Sequence, residues 1–246
     1  MDMKRTNNTS GMHLLAIFRA SVTIGVLVIA GLVVGPAPTF ADDAQEAQRL
    51  VEKARFTVES FAGDPNMGIL RELVKTAKGV YVAPQVLRGA FIIGASGGSG
   101  VLLARDAAGQ WGGPAFYTIG EASFGLQIGG EASEVVLLAM TERGVSKLLS
   151  TSVKLGADVS IAAGPVGGGV RGETAGLSAD IISFARSKGL YGGISVEGAI
   201  VATRDGLNKA YYGQPVTPTD ILIRRQASNP QAAQLIQAVA ELAGRR

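Results

Sequence analysis

Cysteine is absent from the sequence, and the only histidine is His13. Without thiols the chain cannot form a disulfide framework, a thiolate nucleophile or a thiolate metal site. Without a histidine beyond His13, a Ser-His-Asp triad and a histidine-ligated zinc site are also excluded from the rest of the chain. The sequence therefore predicts a protein that is not an enzyme, and we expect no cofactor and no metal.

Charged and aromatic side chains are also sparse. Charged residues make up 17% of the 246 residues, aromatic residues make up 6%, and the net charge is +3. Residues 1–41 hold three basic residues and one acidic residue, a net of +2, so the remainder carries 3 − 2 = +1. Nucleic-acid binding needs a dense basic patch, and none is visible. Too few aromatics are present to favour a sugar site at Glu121, Glu131 and Glu197.

Glycine, in contrast, is abundant, with 34 residues. Residues 167–172 (GGGVRG) match the dinucleotide motif G-x-G-x-x-G by letter, but poor helix sequence follows, so a turn or bulge is the favoured interpretation. Residues 94–100 (GASGGSG) lack the Gly-Lys-Ser/Thr that ends a phosphate-binding loop. That segment predicts two strands joined by a flexible turn.

Residues 1–41 have the pattern of a secretory signal peptide. In chain order it contains a basic pair (Lys4, Arg5), an apolar run (residues 20–34), two prolines (Pro36, Pro38) and two small residues (Thr39, Ala41). We expect cleavage after Ala41 and a mature chain that starts at Asp42. The alternative is an uncleaved anchor, since residues 14–35 are nearly long enough to span a bilayer. Either way, we expect a single domain, residues 42–246, outside the cytoplasm: in the periplasm or cell envelope, or secreted.

Helices are predicted near both ends of that domain. Residues 43–62 form an amphipathic pattern with an apolar stripe at spacings of three and four. Asp64-Pro65 predicts the start of a second helix, for which Gly79 is a candidate cap, and Asn229 or Ser228 followed by Pro230 predicts the start of the last one. A further helix, capped by Thr141, is expected over residues 141–150.

Between these helices, residues 80–202 show short apolar or alternating runs separated by glycine. This spacing is typical of an antiparallel sandwich or barrel. The predicted fold class is therefore α+β: a central glycine-rich antiparallel β-core, barrel- or sandwich-like, flanked by helices at both ends.

Seven segments carry a resemblance to a known family: residues 73–84 (LVKTAKGVYVAP), 94–101, 111–116 (WGGPAF), 120–130, 135–140, 188–193 (KGLYGG) and 208–213 (NKAYYG). Together they resemble the SYLF family of lipid-binding proteins, in family order. The resemblance implies lipid binding, often of phosphoinositides in eukaryotic members, some of which act in actin and endosome traffic. It also implies membrane contact by an amphipathic N-terminal helix, a role that residues 43–62 match. Because this chain carries an export leader, we do not expect actin or phosphoinositides as its partners.

The candidate lipid-binding residues combine an apolar stripe with nearby cations. They are Val51, Val58 and Phe61, with Arg49 and Lys53 beside them, and Lys75, Lys78, Arg88 and Lys188 at the predicted helix-to-sheet junctions. Cations near an anionic membrane surface contribute about 1 kcal/mol each. Two alternatives stay open for the stripe: it enters the membrane interface, or it packs on the β-core.

The predicted function is therefore an exported protein without enzymatic activity that binds phospholipid or a membrane surface. The alternative is a structural envelope protein that binds another protein through its β-core.

Overall fold

A long amphipathic helix, α1 (Phe40–Gly63), opens the part of the chain that the structure describes. The structure is a computed structural model, and it describes residues 40–90, 93–124, 129–164, 178–187, 190–191 and 196–244. Residues 1–39 of the predicted leader (residues 1–41) lie outside this part, and its last two residues, Phe40 and Ala41, begin α1. The predicted stripe of α1 is buried along its whole length, which confirms the helix predicted over residues 43–62. All described elements belong to one compact unit that begins at Phe40.

The remaining elements follow in chain order. The helices are α2 (Gly68–Val74), α3 (Glu142–Leu148), α4 (Asp205–Tyr212), α5 (Pro218–Leu222) and α6 (Ala233–Gly244), with 3-10 turns at Pro65–Met67 and Pro230–Ala232. The strands are β1 (Gly79–Ala90), β2 (Ile93–Arg105), β3 (Trp111–Phe124), β4 (Gly129–Ala139), β5 (Ser152–Lys154), β6 (Ile161–Ala163), β7 (Ile181–Ser187), β8 (Leu190–Tyr191) and β9 (Ile200–Thr203). None of the described helices is long and apolar enough to cross a membrane.

The predicted caps form at three of the helices. Asp64 accepts a hydrogen bond from the Asn66 amide before the turn that leads into α2, and Thr141 accepts one from the Gly144 amide at the start of α3. Asn229 accepts one from the Gln231 amide ahead of α6. Gly79 was the wrong choice of cap for the second helix. That helix ends at Val74, and Gly79 is the first residue of β1.

The strands form one curled sheet, in the order β5-β9-β3-β2-β1-β4-β7-β6, with β8 attached to β7. Within the described residues the neighbouring strands pair antiparallel, apart from β6, which runs parallel to β7. The sheet is curled into a half-barrel with helices at both ends, so the predicted α+β class is confirmed. The parallel pairing of β6 with β7 departs from the fully antiparallel β-core that the sequence predicted.

A bulge divides β1 into two parts. Pairing with β2 skips from Val82 to Gln85, and pairing with β4 skips from Ala83 to Val86. Pro84 lies in this gap, where its missing amide hydrogen costs no ladder bond. Beyond the bulge, the outer parts of β1 to β4 extend away from the main core.

Both faces of the inner sheet are buried, because alternate residues of β1 enter different clusters. Val80 and Val82 pack with α1, α2, α4 and α6 on one face. Tyr81 and Ala83 pack with α3 and α5 on the other. Helices α4 and α5 were not predicted from the sequence.

The glycine-rich segment 94–100 does not form a turn. It lies within strand β2, paired on both sides. A Cβ at Gly98 would lie 2.2 Å from the Gln85 carbonyl oxygen, and one at Gly100 would lie 2.4 Å from the Tyr81 hydroxyl. These glycines therefore allow close packing inside the sheet rather than a turn.

Candidate functional site

Two adjoining clefts lie between α1 and the outer part of the sheet. Their volumes are about 530 Å³ and about 600 Å³, and Lys53, Pro84 and Gln85 line both of them. We refer to the joined space as the helix–sheet cleft. Its size is typical of pockets that bind small ligands.

Two arginines hold α1 against the sheet on either side of this cleft. Arg204 forms an ion pair with Glu46 and donates a hydrogen bond to the Ser99 hydroxyl at 2.8 Å. At the other end of the helix, Arg186 pairs with Glu134 and donates to the Ser60 hydroxyl at 2.7 Å. These bonds fix the width of the cleft.

Three cations line the cleft: Arg186, and the pair Arg49 and Lys53, which lie one helical turn apart on the same side of α1. Both side chains of this pair are exposed, and neither forms an ion pair within the described part of the chain. Of the nearby carboxylates, Glu46 pairs with Arg204, Glu134 pairs with Arg186, and Asp42 lines the first cleft two helical turns before Arg49. Arg49 and Lys53 are therefore available to bind an anion.

Large apolar side chains are exposed along the same space. Leu87 of β1 is 55% exposed and lines the first cleft, and Phe56 of α1 is 51% exposed and lines the second. The guanidinium of Arg55 lies over the Phe56 ring, 4.1 Å from its centroid. Exposed apolar groups that lie beside cations are typical of surfaces that bind lipid or protein.

The three apolar residues predicted to bind lipid lie elsewhere. Val51 is 4% exposed, and Val58 and Phe61 are each 1% exposed, all in the cluster between α1 and the sheet. The sequence left two alternatives open for this apolar stripe, and in this structure the stripe packs on the β-core. Direct lipid contact by these residues would require α1 to leave the sheet.

The predicted cations do not form one surface. Lys75 pairs with Glu72 and Lys78 pairs with Glu142, at the start of β1. Arg88 lies ten residues along that strand from Lys78, a distance of about 30 Å. Arg88 is therefore separated from Lys75 and Lys78, because residues 79–90 form one continuous strand. Lipid binding by these three cations stays a prediction.

Arg88 also lies on the opposite face of the sheet from Arg49 and Lys53. It is paired in register with Glu131 of β4, and its guanidinium is 3.6 Å from the carboxylate of Glu121. Lys188 lies outside the described residues. Of the predicted site residues, the structure therefore brings together Arg49 and Lys53 at the cleft.

Sequence reasoning missed Leu87, Phe56 and the sheet floor of the cleft. An alternation in exposure marks this strand: Gln85, Leu87 and Gly89 are exposed, whereas the residues between them are half-buried. Leu87 gives little signal in the sequence because an apolar residue in a strand normally predicts a buried position.

Within the described residues there is no group of three or more histidine, cysteine, aspartate or glutamate side chains arranged to hold a metal ion. The shifted tyrosine pKa values belong to core positions: burial raises the pKa of Tyr81 and of Tyr117, and both pack away from α1 in the second cluster. At the cleft itself, Arg49 and Lys53 provide charge, and the exposed Leu87 and Phe56 provide apolar contact.

Comparison with known proteins places the chain in a family. A family model described as Ysc84, "Las17-binding protein actin regulator", matches residues 120–242, half of the chain. The chain belongs to the Ysc84 family. This confirms the resemblance to SYLF-domain proteins.

Relatives extend the match over α1 and the cleft strands. The chain is 31% identical to "SH3 domain-containing YSC84-like protein 1" of Rattus norvegicus over 202 residues, 81% of this chain and 58% of the rat protein. It is 32% identical to "Protein YSC84" of Saccharomyces cerevisiae over 170 residues, 67% of this chain and 36% of the yeast protein. The chain thus spans less than two thirds of the length of these Ysc84 relatives.

Proposed function

We propose that this Ysc84-family chain is an exported protein without enzymatic activity. We propose further that it binds anionic phospholipid at a membrane surface through the helix–sheet cleft. One observation carries the proposal. Arg49 and Lys53 have no ion pair within the described residues and lie beside the exposed Leu87 and Phe56. An anionic headgroup attached to apolar chains matches both features.

Family membership supports the lipid component of this proposal, because the SYLF resemblance implies lipid binding. The family description names Las17 and actin regulation, and those words apply to the relatives that carry them. For this chain we propose membrane association without actin binding. An actin co-sedimentation assay that pulled the chain down in the absence of lipid would contradict that part.

The export component rests on the leader pattern in residues 1–41. Cleavage after Ala41 would leave Asp42 and Asp43 in the first turn of α1, where negative charge favours the helix. Intact mass of the exported protein tests this, with a chain that starts at Asp42 as the expected result.

The main experiment is co-sedimentation with vesicles of anionic or zwitterionic lipid. We expect stronger binding to anionic vesicles, with further weakening at high salt because the cations are exposed. The double variant Arg49→Gln/Lys53→Gln should reduce anionic binding by roughly thirtyfold, since two surface cations contribute about 1 kcal/mol each.

The matched control is Arg143→Gln/Lys147→Gln. Arg143 and Lys147 lie one helical turn apart on α3, which packs on the other face of the sheet, so this variant removes the same charge and should bind as the unmodified chain does. Equal losses in both double variants would attribute binding to net charge alone. No binding to either vesicle type would contradict the proposal and favour a protein partner for the β-core.

A further inference from the structure

The outer sheet carries a shallow trough beside the two exposed cations of the cleft. In register across four strands, Leu87 lies opposite Gly97, Gly97 opposite Gly120, and Gly120 opposite Ile200. Leu87 and Ile200 are 55% and 49% exposed, whereas the two positions between them have no side chain. The two apolar walls are therefore separated by three strand spacings, about 14 Å.

We propose that this trough holds one acyl chain of a lipid whose anionic headgroup is bound by Arg49 and Lys53. The inference rests on the proposed function and adds to it. In addition to binding headgroups at a membrane surface, the protein holds a single acyl chain on its sheet.

Gly97 gives the first argument, because neighbouring atoms do not require a glycine there. The nearest atom to a Cβ built at Gly97 is the Ile119 carbonyl oxygen at 3.9 Å, an ordinary contact. The next residue, Gly98, would clash at 2.2 Å with Gln85. A strand glycine without an internal packing reason weakens the strand, and such positions often mark the close approach of a ligand.

Charge complementarity gives the second argument. Gly97 and Leu87 line the same cleft as Arg49 and Lys53, so a ligand on the trough would extend directly to the two cations. A molecule with an apolar chain and an anionic end satisfies both. A second copy of this chain is a poorer occupant, because a stable dimer buries about 800 Å² on each partner and a strip a few strands wide is much smaller.

The test adds a side chain to the floor of the trough. Valine is favoured in strands, so Gly97→Val should fold normally while it fills the space between Leu87 and Ile200. Ala163→Val is the matched control, since it also adds a valine at an exposed strand position, in β6. Thermal melting checks folding, and Gly97→Ala serves as a milder version if the valine variant melts early.

Two readouts separate this inference from the proposed function. The first is a fluorescence titration with a labelled lysophosphatidylglycerol below its micelle-forming concentration. The second is co-sedimentation with anionic vesicles. We expect one probe per unmodified chain, at least tenfold weaker probe binding by Gly97→Val, and unchanged binding of both probe and vesicles by Ala163→Val.

Several results would overturn the inference. They are vesicle binding without saturable binding of the single-chain probe, probe binding at many sites per chain, or full probe affinity in the Gly97 variants. In the first case the proposed function would stand and the acyl-chain site would fail. Absence of both probe and vesicle binding would instead contradict the proposed function itself.

Discussion

Tyr81 is buried and Tyr212 is half-buried, and their hydroxyl groups differ in what they contact. The Tyr81 hydroxyl has no hydrogen-bond partner among the described residues, whereas the Tyr212 hydroxyl donates to the Pro114 carbonyl at 2.7 Å. An unpaired buried hydroxyl costs its desolvation free energy, and a paired one contributes about 1 kcal/mol. We expect Tyr81→Phe to leave the free energy of unfolding unchanged or raised, and Tyr212→Phe to lower it by about 1 kcal/mol.

Urea unfolding of the two variants measures this difference directly. Each substitution removes one oxygen atom from a tyrosine ring, so each serves as the control for the other. Equal losses in stability would mean that the Tyr81 hydroxyl also has a partner, and the hydroxyl would then contribute to the packing of the second cluster.

Asp180 makes the stability of the fold sensitive to acid. The hydroxyl groups of Thr141 and Ser160 donate to its carboxylate at 2.6 Å and 2.7 Å, and together with Arg143 they lower its pKa from the usual 3.8. Because the folded pKa is below the unfolded one, the stabilisation is complete above about pH 4 and is lost as the pH falls through the folded pKa.

Asp180→Asn tests this by removing the titrating group. The variant should melt at a lower temperature than the unmodified chain at pH 7, and the gap should narrow as the pH falls below 4. Melting curves from pH 7 to pH 2.5 provide the measurement. A gap of constant size over that range would show that the charge of Asp180 makes no contribution.

At the scale of the element, the two faces of α1 have different surroundings and should give different phenotypes. Phe61 is 1% exposed and lies under the Arg186 guanidinium, 4.7 Å from the ring centroid, whereas Phe56 is 51% exposed at the cleft. Truncating a buried phenylalanine costs about 3–5 kcal/mol. We therefore expect Phe61→Ala to destabilise the fold strongly, and Phe56→Ala to change stability by less than about 0.5 kcal/mol.

For vesicle binding we expect the opposite ranking of the two variants, with the larger loss in Phe56→Ala. Phe56→Ala should bind anionic vesicles more weakly while it melts normally, and folded Phe61→Ala should retain its binding. A Phe61→Ala variant that melts like the unmodified chain yet loses vesicle binding would indicate that α1 leaves the sheet and inserts its buried face into the membrane.

The sequence predicted α1 and its apolar stripe, but it could not predict what the stripe contacts. An amphipathic helix has the same period whether its apolar face meets a sheet or a membrane. The glycines of residues 94–100 posed a similar difficulty. A flexible turn and a strand under close packing both favour glycine, and only the positions of Gln85 and Tyr81 distinguish them at Gly98 and Gly100.

Strand β1 explains why Lys78 and Arg88 lie far apart, which the sequence could not predict. Pro84 interrupts the apolar pattern in the sequence, and a proline argues against a central strand. In the structure the bulge accommodates Pro84, so the strand continues and carries Arg88 away from Lys78. The proximity of Arg49 and Lys53, in contrast, depends only on the local period of one helix, which the sequence pattern does predict.

For the whole molecule, the absence of cysteine becomes useful, because a single introduced cysteine can carry one label. Gln85 is exposed and lines both parts of the cleft, whereas Ser146 is exposed on α3, on the other side of the sheet. If the cleft faces the membrane, an environment-sensitive fluorophore at Gln85→Cys should shift to shorter wavelength on addition of anionic vesicles. The same label at Ser146→Cys should remain unchanged.

The charge distribution makes this orientation test informative. Residues 42–246 carry a net charge of only +1, so attraction to an anionic surface must come from the local arrangement of cations such as Arg49 and Lys53. Adding Arg49→Gln/Lys53→Gln to the Gln85→Cys chain should abolish the shift if those cations set the orientation. Equal shifts at Gln85→Cys and Ser146→Cys would mean that the molecule binds without a preferred face, and the cleft would then have no special role in membrane contact.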